Sequence, residues 1–346
     1  MSLFANKSFL GIDIGAYSIK IVELKKENNK ARLVSYGFSE REKIETKDNL
    51  QSEIGHSAKL INKILNEAGM KSREAIAALP TFSVFSSILN LSYVDNKDLA
   101  AAVHWEAKKV IPLPLDDMVL DWKKIEDGEG NKNNNIKILL TGAPRNFVKK
   151  YIDIFKEAKV NLLSLETETF SLIRSLLGND KSSVMIVEMG ANTTDISIID
   201  KSIPIFSRSI DVGGMTITKG ISNSLNIGQA RAEQFKYDLG ISSMASREDI
   251  IPKTVIETIS PIINEVKYTI NLFQSKDEKK IEKVILSGGS ALLINFTNYL
   301  SKILDKQVII GNPWARVSYP VELEPLLYEI GPRMSAAIGL AMRSIE

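Results

Sequence analysis

Apolar residues come in short dense blocks separated by polar turns. Residues 9–14, 19–25 and 32–38 read as three strands, with Glu27-Asn28-Asn29-Lys30 as the polar turn between the last two. Phe9-Leu10-Gly11-Ile12, at the start of the first block, reads as a buried strand. The spacing of Leu60, Ile61, Ile64, Leu65 and Ala68 predicts a helix with one buried stripe, and Gly69 suits its C-terminal cap. The texture changes from about Thr81 to Thr141. A strand over 84–91 leads to a helix opened by Asp95, which carries Ala102, Val103, Ala107 and Val110 and stops before Pro112. Two strands follow, over 119–125 and 136–140, joined by a polar tip, "EDGEGNKNNN", expected to be mobile. Strand–helix–strand–strand is a compact unit and reads as an inserted small domain. Beyond it, Phe147, Val148, Tyr151, Ile152 and Phe155 form another helical stripe, and a second buried strand begins over 184–187.

At that second strand the sequence repeats itself. Ile12-Asp13-Ile14-Gly15-Ala16-Tyr17-Ser18-Ile19-Lys20 and Val187-Glu188-Met189-Gly190-Ala191-Asn192-Thr193-Thr194-Asp195 share one pattern. Each reads apolar, acid, apolar, Gly, Ala, then a polar turn with a hydroxyl, then an apolar strand. A carboxylate at the end of such a strand is costly unless a cation or donors meet it. The two copies lie about half the chain apart, which suggests two related domains facing each other. The pattern suits a phosphate clamp. Glycine lets backbone N–H groups approach phosphate oxygens. Ser18, Thr193 and Thr194 add hydroxyls, Lys20 adds a point charge, and Asp13 would hold a hydrated magnesium ion. Taken singly, either stretch is also what a plain tight hairpin with a glycine tip looks like.

Three further stretches point the same way. Gly213 and Gly214 precede a helix whose free N–H groups could face an anion. "ILSGGSALL" reads as a strand, a Gly288-Gly289 turn and a helix start, its glycines flat enough to lie against an adenine. Glu233 and Lys236 sit three apart on a helix beginning near Gly228, on a face that could hold ribose and adenine; the alternative is a solvated salt bridge.

Bulk composition narrows the classes. A chain of 346 residues exceeds the size, about 250–300 residues, at which single cores stop growing, so two or more domains are expected. The net charge of +2 is too small for a nucleic-acid-binding field. With no cysteine, disulfides and thiolate metal sites are excluded. His56 and His104, far apart, leave little for histidine-based catalysis. The N-terminus lacks the pattern of a secretory signal. The charge-free stretch over 75–94 holds Pro80, Ser83, Ser86, Ser87, Asn90 and Ser92 and reads as a strand pair, not a bilayer span. A soluble, cytoplasmic α/β protein is expected.

Together these stretches resemble the actin/DnaK-type ATPase superfamily: 11–20 its phosphate-1 loop, 187–195 its phosphate-2 loop and 286–292 its adenosine motif. "GIDIGAYSIKIVEL", "EAKKVIPLPLDDMVLDW", "ARAEQFK", "GNPW" and "AAIGLAMR" look more narrowly like the PilM family, actin-like proteins of type IV pilus assembly. The resemblance implies two ribonuclease-H-like lobes with an inserted SHS2-type domain. The expected division is 1–80 as the first part of lobe one, 81–143 as the insert, 144–180 with 325–346 as the rest of lobe one, and 181–324 as lobe two.

The resemblance also implies ATP with magnesium between the lobes. Asp13, Gly15, Ala16, Tyr17, Ser18 and Lys20 would meet the metal and phosphates. Gly190, Ala191, Asn192, Thr193 and Asp195 would form the second clamp, with Gly213 and Gly214 facing the phosphates. Glu233, Lys236, Gly288, Gly289 and Ser290 would surround adenosine. Glu168 falls where superfamily members keep a residue that orients the attacking water, although Glu166 and Glu168 also read as acids favoured at a helix N-terminus. Many superfamily members have Asp where this chain has Glu188, so binding is implied more strongly than hydrolysis. The implied role is an ATP-binding cytoplasmic scaffold, a weak ATPase at most. It would bind the cytoplasmic N-terminal peptide of PilN in a groove between lobe one and the insert, so recruiting the inner-membrane platform and its motor ATPases. An FtsA-like polymerising division protein is one alternative. It would need a C-terminal amphipathic anchor, for which the sequence shows no room after Arg343, so no direct membrane anchor is expected. A small-molecule kinase of the same fold is the other, without a visible sugar-binding run.

Overall fold

A computed structural model describes residues 7–40, 50–92, 94–95, 97–125, 136–241, 250–277 and 280–345. The expected mobile tip over 126–135 lies outside the described residues.

The chain opens with β1 (Ser8–Ile14), β2 (Ser18–Glu27) and β3 (Lys30–Glu40), an antiparallel meander. Helix α1 (Leu50–Glu67) follows, closed by Gly69 at φ +62°, and leads into β4 (Glu74–Leu79), parallel to β1. The chain then departs into the inserted unit. This holds β5 (Phe85–Leu91), α2 (Leu99–Val110), β6 (Met118–Ile125) and β7 (Ile136–Pro144), with β7 central between two antiparallel neighbours. Its small core joins Leu89, Leu91, Val103, Ala107, Ile138 and Leu140. The expected strand–helix–strand–strand order is therefore present. Helix α2, however, starts at Leu99 rather than at Asp95, whose carbonyl instead closes a turn by accepting from the Asp98 amide at 2.9 Å.

Helix α3 (Arg145–Glu157) and β8 (Asn161–Thr167) return the chain to the first sheet, where β8 lies parallel to β4. A short helix, α4 (Glu168–Leu172), continues as a π-helical turn over Ile173–Leu177. The second half repeats the opening: β9 (Val184–Met189), β10 (Thr194–Asp200) and β11 (Ile203–Ile210) form an antiparallel meander. Three helices, α5 (Gly214–Leu225), α6 (Gln229–Leu239) and α7 (Ile250–Asp277), precede β12 (Lys283–Ser287). Helix α8 (Phe296–Leu304) and β13 (Gln307–Ile310) follow, and β12 and β13 run parallel to β9. Strand orders β3-β2-β1-β4-β8 and β11-β10-β9-β12-β13 are the same arrangement twice.

Although the expected second lobe runs to 324, β14 (Val317–Ser318) pairs in parallel with β3 at the far edge of the first sheet. Trp314, just before it, is buried in the first sheet's core, its Nε1–H donating to the Leu327 carbonyl at 2.9 Å. The last helix, α9 (Glu324–Met342), is buried on nearly all sides from Ile330 onward, as a helix apolar all round must be. It packs on β1 closely enough that a Cβ at Gly11 would collide with the Ala337 carbonyl. Because α1 and α3 cover the opposite face, Leu10 and Ile12 are completely enclosed. That double cover is why β1 carries no polar alternation.

Candidate functional site

Each hairpin of the repeat is built the same way. In the first, Gly15 N–H donates to the Ser18 carbonyl at 3.0 Å and Asp13 stands opposite Lys20 in the β1–β2 register. In the second, Gly190 N–H donates to the Thr193 carbonyl at 2.9 Å and Glu188 stands opposite Asp195. The two tips face each other across one cavity of about 240 Å³, lined by both loops and by Glu168. Asp13, Gly15, Ala16, Tyr17, Ser18, Lys20, Gly190, Ala191, Asn192, Thr193 and Asp195 all border it.

Charge in this cavity is unevenly answered. Lys20 Nζ lies 2.7 Å from Asp13 Oδ2, so the acid that the sequence left in need of a metal is met by the lysine opposite it. Burial opposes the lysine's charge, yet Asp13, with Glu188 and Glu168 beyond, holds its pKa above the usual value. The second hairpin has an acid, Asp195, where the first has that lysine. Glu188 Oε2 and Asp195 Oδ1 are consequently buried without a hydrogen-bond partner. Burial pushes Glu188 up to about 8, against the pull of the Ser287 hydroxyl and of Lys20. Burial likewise pushes Asp195 up to about 6, against the pull of the neighbouring Ser209 and Thr81 side chains. Glu168, which opens α4, is raised well above the carboxylate range by burial and then by the charges of Asp13, Asp195 and Glu188. Glu166, two residues earlier, is still in β8 and pairs with Arg174 at 2.8 Å and Arg343 at 3.0 Å, so the two acids do not act together at a helix start.

The expected adenosine residues also meet, on the other side of the second loop. Gly288, at φ +85°, lies so close to Met189 that any Cβ would strike its carbonyl. A Cβ at Gly214 would fall 2.6 Å from Ser290 Oγ, and one at Gly289 3.7 Å from the Tyr237 hydroxyl. Lys236 is almost completely buried, 2.7 Å from both Glu233 oxygens, 3.1 Å from Thr218 Oγ1 and 4.8 Å from the Tyr237 ring centre. It therefore ties α6 to α5, while its partner Glu233 remains partly exposed to solvent. One expectation is corrected. The first amides of α5 are not free for an anion: Gly214 N–H donates to the Gly190 carbonyl at 2.9 Å and Met215 N–H to the Ala191 carbonyl at 2.8 Å. The helix start braces the second loop from behind.

Several lining residues escaped the sequence reading. Glu53 and Ser57 come from α1, and Phe147, Lys150 and Tyr151 from α3. Phe147 and Tyr151 were visible only as members of a core stripe, and no motif marks Lys150 or Glu53. A second cavity, of about 340 Å³, lies between the inserted sheet and the first sheet. Val119 and Trp122 of β6, Leu165 and Glu166 of β8, Phe170 and Arg174 border it.

Residues 11–345 match the family described as type IV pilus assembly protein PilM. The chain belongs to the PilM family. A solved structure of a PilM–PilN type IV pilus biogenesis complex superposes with a TM-score of 0.84 at 22% identity, covering 97% of this chain and 98% of that one. MreB5 of Spiroplasma citri bound to AMPPNP superposes at a TM-score of 0.55 and 14% identity, over 96% of this chain and 95% of that one. The cell division protein FtsA of Streptococcus pneumoniae is 21% identical, over 88% of this chain and 75% of its own length. The fold of this PilM-family chain is thus the actin-like one expected, with two equivalent sheets and an inserted domain. Among the described residues, no helix is long and apolar enough to cross a membrane.

Proposed function

We propose that the cleft binds ATP with magnesium, and that the loaded protein serves as a cytoplasmic scaffold of the type IV pilus inner-membrane platform. In that role it would hold the cytoplasmic N-terminal peptide of a PilN-type partner between lobe one and the insert. The observation that carries the nucleotide reading is the meeting of two acid–glycine hairpins, from opposite sheets, on one cavity.

The acids fit a hydrated ion. Among the described residues, no three metal-ligating side chains converge closely enough to chelate a cation directly. Magnesium usually keeps several of its waters and touches few carboxylates. The unpartnered oxygens of Glu188 and Asp195, with Asp13 and Glu168 nearby, suit such a water-mediated hold. When bound, the metal would neutralise phosphate charge; Gly15, Ser18, Gly190 and Thr193 would cradle the phosphates, and Glu168 would orient a water. Adenosine would lie against Gly288, Gly289 and Tyr237, with Lys236 fixing the α5–α6 corner.

The cavity between insert and first sheet is the candidate partner groove. Its lining mixes apolar and aromatic side chains with the charged Asp121, Lys123, Glu166, Arg174 and Arg343. Glu166 and Thr167 border this groove while Glu168 borders the nucleotide cavity. Three consecutive residues therefore touch both sites, which gives ATP a short route to groove shape. Fluorescence anisotropy of a labelled PilN N-terminal peptide, titrated with and without Mg-ATP, tests this. Saturable binding that tightens with Mg-ATP is expected. Binding no better than a scrambled peptide would reject the scaffold reading.

A further inference from the structure

Lys150 stands out among the charges of the nucleotide cavity. Apart from Lys20, it is the only cation among the described residues that border this space, which also holds Asp13, Glu53, Glu168, Glu188 and Asp195. Its Nζ lies 2.5 Å from Glu53 Oε1 and 5.5 Å from the centre of the Phe147 ring. An ion pair on one side and an aromatic face on the other hold the ammonium at the wall formed by α1 and α3.

The layout of the site gives that wall a direction. Gly214, Glu233, Lys236 and Gly288–Ser290 do not border the cavity, although they adjoin the second loop from behind, through Gly190 and Met189. A nucleotide with its base on that group and its phosphates over the loops runs into the cavity with its terminal phosphate foremost. Lys20 is already engaged by Asp13 at 2.7 Å. Of the two cations among the described residues that border the space, Lys150 is then the one left to answer the added negative charge of a third phosphate. Glu53 competes for the same ammonium, and a phosphate, carrying more charge than a carboxylate, wins that competition only when it reaches the wall.

Resting on the nucleotide reading above, we infer that Lys150 reads the terminal phosphate: it exchanges Glu53 for that phosphate and so makes the site prefer nucleoside triphosphate to diphosphate. Glu53 sets the threshold for the exchange. Because Lys150 is on α3 and Glu53 on α1, the exchange also loosens one tie between those helices.

Calorimetric titration of the full chain with Mg-ATP and with Mg-ADP tests this. In Lys150→Met, affinity for Mg-ATP should fall about tenfold or more, a loss of about 1.4 kcal/mol, while affinity for Mg-ADP changes less than about twofold. In Glu53→Gln, which removes the competitor without removing the reader, the preference for Mg-ATP should increase. That second variant keeps the test decisive should Lys150→Met fail to fold. A wild-type protein that binds both nucleotides, with variants whose ATP-to-ADP ratio matches it, would overturn this inference alone. A wild-type protein that binds neither would overturn the nucleotide reading and this one with it.

Discussion

Two carboxylates at matching points of a repeated hairpin have opposite fates because of one residue each. Asp13 faces Lys20; Glu188 faces Asp195. The first pair neutralises itself, whereas the second leaves two buried acids that ionise at a cost. Glu188, raised from its usual 4.5 to about 8, binds its proton more tightly folded than unfolded. The stability this contributes is complete below the unfolded pKa and is lost as pH rises through the folded one. Without nucleotide or metal, the protein should therefore lose stability between about pH 5 and 8. Glu188→Gln should flatten that slope and raise the pH 8 stability by on the order of 1–3 kcal/mol, since each pKa unit is worth about 1.4 kcal/mol. Denaturant melts at the two pH values check it; an unchanged slope would contradict it. The acids, glycines and hydroxyls were legible in the sequence because a hairpin fixes their spacing locally. Lys150 and Glu53 were not, because they reach the site from helices whose periodicity reports only their buried faces.

Among elements, the loops depend on backbone packing more than on side chains. The second loop is braced by the α5 amides and by the Gly288 turn pressed on Met189. Gly288→Ala would meet both a positive φ and the Met189 carbonyl. It should destabilise by about 2 kcal/mol or more and weaken nucleotide binding further, as thermal melts with and without Mg-ATP would show. A variant as stable as wild type would refute that packing. The helix of α5 was readable from its glycine-led start, but its amides were misread as free, because sequence shows donors and not the carbonyls brought to them by tertiary contact. Strand β8 went unread for a related reason. Its apolar residues lead straight into α4, and only pairing with β4 separates strand from helix at Thr167.

On the scale of the whole molecule, two like sheets share one cleft, and a ligand bound there is a cross-link between them. A ligand that binds only the folded state, at about 100 times its Kd, stabilises by about 2.7 kcal/mol. Saturating Mg-ATP should thus raise Tm measurably, and Asp13→Ala should abolish most of that rise relative to its own ligand-free melt. The absence of any rise in wild type would remove the nucleotide reading. The twofold plan was legible from the repeated loop and the insert from its change of texture. The return of β14 to the first sheet was not, since a two-residue strand has no periodicity to detect.

That short return has a practical corollary. Every strand of the second sheet lies within 184–310 without interruption, whereas the first sheet draws on both ends of the chain. One half is a cassette spliced into the other. Ribosomal synthesis would complete the cassette first, leaving its host waiting for Val317 and α9 to emerge before the cleft has two walls.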